Sequence, residues 1–184
     1  PLKRSFVFWL TGLSGAGKST IAKHFADVLT EEGYSVKILD GDDIREQKHR
    51  QLKFTVNDIK KNNKLIAEHC LMEINNYDFI LVAVISPLVD SRKNNRHIIG
   101  EHYKEIYIKI SLETAIKRDT KGLYEKALKG EIENFIGISE QTPYEVPQNP
   151  ELVIDTDNYE IGHCVRLLEN YAKNLRGKKG IHDE

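Results

Sequence analysis

The chain has 184 residues, 40% apolar and 30% charged, which is enough for one globular domain and too short for two comfortable ones. Its 27 Lys and Arg against 28 Asp and Glu leave a net charge of -1, which excludes bulk attraction to a nucleic-acid polymer or an anionic membrane, so any anion site must be local. No run reaches the ~18 to 20 apolar residues that span a bilayer, and the start lacks a signal-peptide layout, so a cytoplasmic protein is expected.

Apolar runs of strand length alternate with segments of helical period, the pattern of an α/β three-layer sandwich around a mainly parallel five-stranded sheet. The first strand is expected over 5–11 (SFVFWLT). It leads into Gly12-Leu13-Ser14-Gly15-Ala16-Gly17-Lys18-Ser19, a GxxxxGK[ST] match followed by an amphipathic helix over 19–32 that Gly33 stops. Glycines let the backbone curl so that successive N–H groups converge on a phosphate, and the helix dipole adds positive potential. Lys18 supplies a point charge, and the Ser19 hydroxyl is placed to ligate a magnesium ion that arrives with ATP or GTP.

The second strand, 35–39, runs into Asp40-Gly41-Asp42-Asp43 at the carboxyl end of the sheet, where ligands gather in open α/β folds. Asp40 and Asp42 are candidates to orient an accepting hydroxyl, take its proton, or hold hydrated magnesium. Residues 43–64 carry seven Lys or Arg against three acids, a local excess suited to an acceptor that bears its own phosphate. In that stretch Phe54 fits either stacking on a base or the core. A helix over 57–75, a strand over 79–85, the Ser86-Pro87 loop and a helix over 90–102 follow, then a strand over 105–110 and a helix over 112–118. The segment 121–150, with three glycines, three prolines and dense charge, reads as a lid of short helix plus ordered loop. A strand over 152–154, a helix over 159–175 and a flexible tail over 177–184 close the chain. Cys70 and Cys164 lie 94 residues apart with no metal spacing and are expected as free thiols.

A guanine-reading NKxD motif is missing, and the apolar run 80–85 ends in Ser86 rather than Asp, so GTPases and mechanical ATPases lose ground to small-molecule kinases. Together GLSGAGKST, LDGDDIR, ISPLVDSR, KRDTKGLYEKA, GEIENFIG, PYEVP and NPELVIDT resemble the adenylylsulfate kinase family over about residues 8–156. The resemblance implies a P-loop kinase domain over 1–176 with a lid over about 119–137, a homodimer, and MgATP-dependent phosphorylation of the ribose 3'-hydroxyl of adenosine 5'-phosphosulfate. It places Gly12, Ser14, Gly15, Ala16, Gly17, Lys18, Ser19, Thr20 and Arg118 on ATP, Asp42 beside the accepting hydroxyl, and Arg45 with Asn62 on the acceptor. It also implies that Phe54 and Phe135 sandwich the acceptor's base, that Lys121 lies near the transferred phosphate, and that Ser86 matches a serine that some members phosphorylate.

The family pattern between positions 42 and 64 is DNVRHGLNxDLGFSxxDRxENIRR; this chain has Glu46-Gln47-Lys48 in place of His-Gly-Leu and Ile59 in place of an acceptor-binding arginine. Losing one charge-assisted hydrogen bond weakens binding roughly 10- to 100-fold. Lys60 or Lys61 offers a substitute charge without arginine's bidentate geometry. Two alternatives therefore stay open: a related kinase acting on another small anionic nucleotide such as cytidine diphosphoramidate, and a non-catalytic nucleotide-binding partner.

Overall fold

The computed structural model describes residues 5–41, 44 and 55–177. Five strands, β1 (Phe6–Thr11), β2 (Val36–Asp40), β3 (Phe79–Ala83), β4 (Tyr103–Lys109) and β5 (Leu152–Asp155), form one sheet in the order β2-β3-β1-β4-β5. Every pairing is parallel. The near-continuous apolar strands follow from burial on both faces. Phe6, Phe8 and Leu10 point into one core, and Val7 and Trp9 into the other.

The first face is covered by α1 (Lys18–Glu31) and α6 (Ile161–Gly177), whose Phe25, Leu29, Leu168 and Ala172 pack on Phe8 and Phe79. The second face is covered by α2 (Val56–Glu73) and α3 (Val89–Ile99); here Ile66, Ala67, Cys70 and Ile99 meet Trp9 and Tyr103. Cys70 and Cys164 belong to cores on opposite sides of the sheet and are free, as the spacing suggested. Burial pushes the Cys70 thiol up to about 12, which keeps it an inert hydrophobe.

Several boundaries differ from the sequence expectation for local reasons. β3 ends at Ala83, because Ser86 turns the chain with φ 49° just before Pro87, which cannot donate to a ladder. The last helix starts at Ile161 instead of 159, since Asp155 closes a turn by accepting from the Asp157 N–H at 3.0 Å and the Asn158 side chain at 3.2 Å. It also runs through Gly177, which the sequence had placed in the tail. The helix expected over 90–102 ends at Ile99 and tightens into a 3₁₀ turn, Gly100–His102.

Helix α4 (Leu112–Arg118) starts on a Ser111 cap that accepts from the Thr114 N–H at 3.2 Å. The segment 121–150 then contributes α5 (Leu123–Leu128) and a run of turns. It ends as a strap over the loop after β3: the Glu145 N–H donates to Pro87 O at 2.8 Å, and a Glu145 carboxylate oxygen accepts from the Val89 N–H at 2.6 Å, capping α3.

Candidate active site

The strand β1 delivers the chain to the phosphate loop under tight steric control. A Cβ at Gly12 would stand 2.4 Å from Ile108 O, so the loop turns directly against the β4 backbone only because position 12 has no side chain. Gly17, at φ 94°, takes the left-handed conformation from which α1 starts. Two carbonyls of the loop are tied outward: Ser14 O accepts from the Tyr124 hydroxyl at 2.8 Å, and Ala16 O from the Thr156 hydroxyl at 3.1 Å. The Gly12 N–H donates to Ile85 O at 3.3 Å and the Ala16 N–H to Leu13 O at 3.2 Å, so the curl of the loop is fixed from several sides, and a curled, glycine-rich loop at a helix N-terminus suits an anion. Lys18 is buried, and its ammonium donates to Gly12 O at 2.9 Å and Leu13 O at 2.8 Å, curling over the loop it serves.

Beside this loop lies a cleft of about 460 Å³, bounded by Ser14–Thr20, the end of β2, the amino half of α2, the loop after β3 and the segment around Lys121 and Phe135. Asp40 ends β2, and its carboxylate accepts from the Ser19 hydroxyl at 2.5 Å, bringing two hard oxygen donors together at the rim. That pair fits a magnesium ion, which prefers carboxylate, hydroxyl, phosphate and water oxygens. Among the described residues no group of three or more His, Cys, Asp or Glu is disposed to hold a metal by itself, so most ligands would have to come from nucleotide and water.

Across the cleft, Asn62 and Asn63 face inward from α2. Asn63 donates to Ile59 O at 2.9 Å and accepts from the buried Ser86 hydroxyl. Ser86 lines the cleft but is only 2% exposed, so its hydroxyl fixes the loop to α2 rather than standing open to a phosphoryl group. Its left-handed backbone is held from several sides: Ser86 O accepts from the Arg92 guanidinium at 2.7 Å and from the Thr11 hydroxyl at 3.2 Å. Arg92 also donates to Glu145 O at 2.6 Å, so one buried cation joins the loop to the strap.

The structure brings most of the sequence candidates to this cleft. Ser14, Gly15, Gly17, Lys18, Ser19, Thr20, Asp40, Asn62, Ser86, Lys121 and Phe135 all line it. Gly12 and Ala16 support the loop from behind. Arg118 does not line the cleft; its guanidinium donates to Thr156 O at 2.5 Å, on the outer side of the phosphate loop. Asp42, Arg45 and Phe54 lie outside the described residues. Ile59, at the position where an arginine was expected, is 3% exposed and packs with Leu88 and Ile136, giving that wall of the cleft an apolar surface.

Three contributors escaped sequence reasoning: Tyr124, Thr156 and the Arg92–Glu145 strap. TKGLYEKA and PYEVP marked these segments as distinctive, but contacts across 110 and 140 residues leave no local spacing to read.

A family model for adenylylsulphate kinase matches residues 4–155. The chain belongs to the adenylylsulphate kinase family. It is 43% identical to a probable adenylyl-sulfate kinase of Aeropyrum pernix over 175 residues, covering 94% of each chain. It is also 43% identical to an adenylyl-sulfate kinase of Bacillus velezensis over 172 residues, 93% of this chain and 86% of the relative. Among solved structures, the Mycobacterium tuberculosis APS kinase in complex with AMPPNP and APS matches with a TM-score of 0.86 at 33% identity, over 91% of this chain and 96% of that one. Family membership and the parallel sheet agree with the P-loop kinase architecture expected from the motifs.

Proposed function

We propose that this chain is an adenylylsulfate kinase, moving the γ-phosphoryl of ATP to the 3'-hydroxyl of adenosine 5'-phosphosulfate to give 3'-phosphoadenosine 5'-phosphosulfate. The observation that carries the reading is the family match over residues 4–155 joined to a single cleft that holds a phosphate loop on one side and a polar α2 face on the other. In phosphoryl transfer the protein's work is positioning and charge stabilisation rather than covalent chemistry. Lys18 and the loop N–H groups neutralise charge on the transferring group. Ser19 and Asp40 would hold a magnesium ion that arrives with the nucleotide, directly or through water, and that ion would supply further charge neutralisation. Asp42 aligns the acceptor hydroxyl and takes its proton, with Arg45, Asn62 and Lys121 on the acceptor's anionic groups and Phe54 with Phe135 against its base.

Ile59 sits in an apolar cluster and offers no charge, and Lys60 and Lys61, which the sequence offered as substitutes, are exposed and do not line the cleft, so recognition of the phosphosulfate falls to Arg45, Asn62 and Lys121. A homodimer in the cytoplasm completes the proposal; no helix among the described residues is long and apolar enough to cross a membrane. Product identification tests the reaction itself. With ATP labelled on its γ-phosphate, the label should appear on the 3'-position of the adenylyl product. Label recovered only as inorganic phosphate would remove the transfer reaction.

A further inference from the structure

The lid segment 119–137 touches the phosphate loop through a polar contact whose donor has no role in the scheme above. Tyr124, on α5, is 1% exposed, and its hydroxyl donates to Ser14 O. The edge of its ring meets Phe135 with centroids 5.0 Å apart, and a Cβ added to Gly15 would lie 4.0 Å from its ring carbon. Its backbone N–H is held by the Asp119 carboxylate at 3.0 Å, which also accepts from the Glu125 N–H at 3.0 Å and so fixes the start of α5. One side chain thus connects the loop that holds phosphate, the helix that begins just after Lys121, and the aromatic ring that lines the opposite part of the cleft.

We propose that Tyr124 is a positioning residue whose hydroxyl makes the lid segment and the phosphate loop move as one body, setting the distance from Lys121 and Phe135 to the bound nucleotide. Three features support this assignment. The bond anchors one loop carbonyl, so its removal frees the lid while the Thr156 hydroxyl on Ala16 O and the Lys18 ammonium on Gly12 O and Leu13 O still hold the loop's curl. The phenol stays a donor at every working pH, since burial raises its pKa to about 12. The ring belongs to the main core, so the lid's root is packed while the residues beyond α5 are mostly exposed or half-buried. A lid tied to the loop excludes water when nucleotide is bound, and that exclusion separates transfer from hydrolysis.

This inference rests on the reading of residues 119–137 as a lid over ATP. The test compares Tyr124→Phe with the wild-type chain, because phenylalanine keeps the packing and removes only the donor. Amide hydrogen exchange is followed with and without Mg-AMPPNP, alongside ADP release with and without adenosine 5'-phosphosulfate. In the variant, amides of 119–137 should exchange about 5- to 10-fold faster, as expected for one lost buried hydrogen bond. The ratio of acceptor-dependent to water-dependent ADP release should fall by a similar factor, with the KM for MgATP within about twofold. Equal lid exchange in the two proteins would overturn the proposal, and so would acceleration spread evenly over the sheet, the mark of a purely structural side chain. A wild-type chain that ignores the adenylyl acceptor would sink the substrate assignment, yet the exchange comparison would still decide the role of Tyr124.

Discussion

At the residue scale, the sharpest feature is the short contact between the Ser19 hydroxyl and the Asp40 carboxylate at the rim of the cleft. Asp40→Asn keeps size and hydrogen bonding but loses the charge that draws a divalent cation. The variant should fold normally, lose roughly 10²-fold or more in kcat, the scale of removing one electrostatic contributor, and need more magnesium for half-maximal rate. A magnesium titration of steady-state rates checks this, and an unchanged magnesium requirement would remove Asp40 from the metal site. The residues on this side were legible from sequence, because a phosphate loop is a contiguous signal and Asp40 follows a strand at the sheet's carboxyl end. Tyr124 and Thr156 were not, because a side chain that braces a distant carbonyl carries no pattern in its own neighbourhood.

At the element scale, α3 shows how the strap secures the loop after β3. Its N-cap residue Leu88 makes no side-chain cap, and the missing acceptor for the Val89 N–H comes from Glu145, 56 residues beyond Val89. Removing that carboxylate in Glu145→Ala should cost about 1 kcal/mol, the usual worth of a cap. Urea unfolding measures it; a midpoint unchanged from wild type would show that solvent caps the helix equally well. Element types were readable because the central strands β1 and β3 are buried on both faces and the long helices carry an apolar stripe. Ends were less so. The left-handed turn at Ser86 and the Asp155 turn depend on contacts with Arg92, Thr11 and neighbouring polar groups, and tertiary partners of that kind shorten or delay an element that propensity alone would extend.

At the scale of the whole molecule, the edge strand β5 is secured by charge as well as by its ladder. Arg96 on α3 makes a two-pronged contact with Glu151 at 2.5 and 2.8 Å, and Glu151 also accepts from the Glu105 N–H at 2.7 Å. Burial alone would push the Glu151 carboxyl up, but the Arg96 hydrogen bonds and the Glu105 N–H outweigh it and hold the group below its ordinary 4.5. A depressed folded pKa contributes stability that is present above about 4.5 and lost as the pH falls through the lower folded value. Glu151→Gln should therefore lower the Tm at neutral pH, with the gap to wild type closing under acid conditions. A gap that stays constant from pH 7 to about pH 3 would contradict that linkage. None of this network was visible in the sequence, because Arg96, Glu105 and Glu151 come from separate elements with no local spacing to join them.

The central claim concerns the acceptor, since Ile59 replaces an expected cation with an apolar wall. It is tested most directly by acceptor-dependent ADP formation from MgATP, with adenosine 5'-phosphosulfate and cytidine diphosphoramidate compared at equal low concentrations. A higher kcat/KM for the adenylyl compound is the expected result, with Arg45, Asn62 and Lys121 carrying the recognition that Ile59 does not. Preference for the cytidylyl compound, or ADP release that ignores both acceptors, would contradict it.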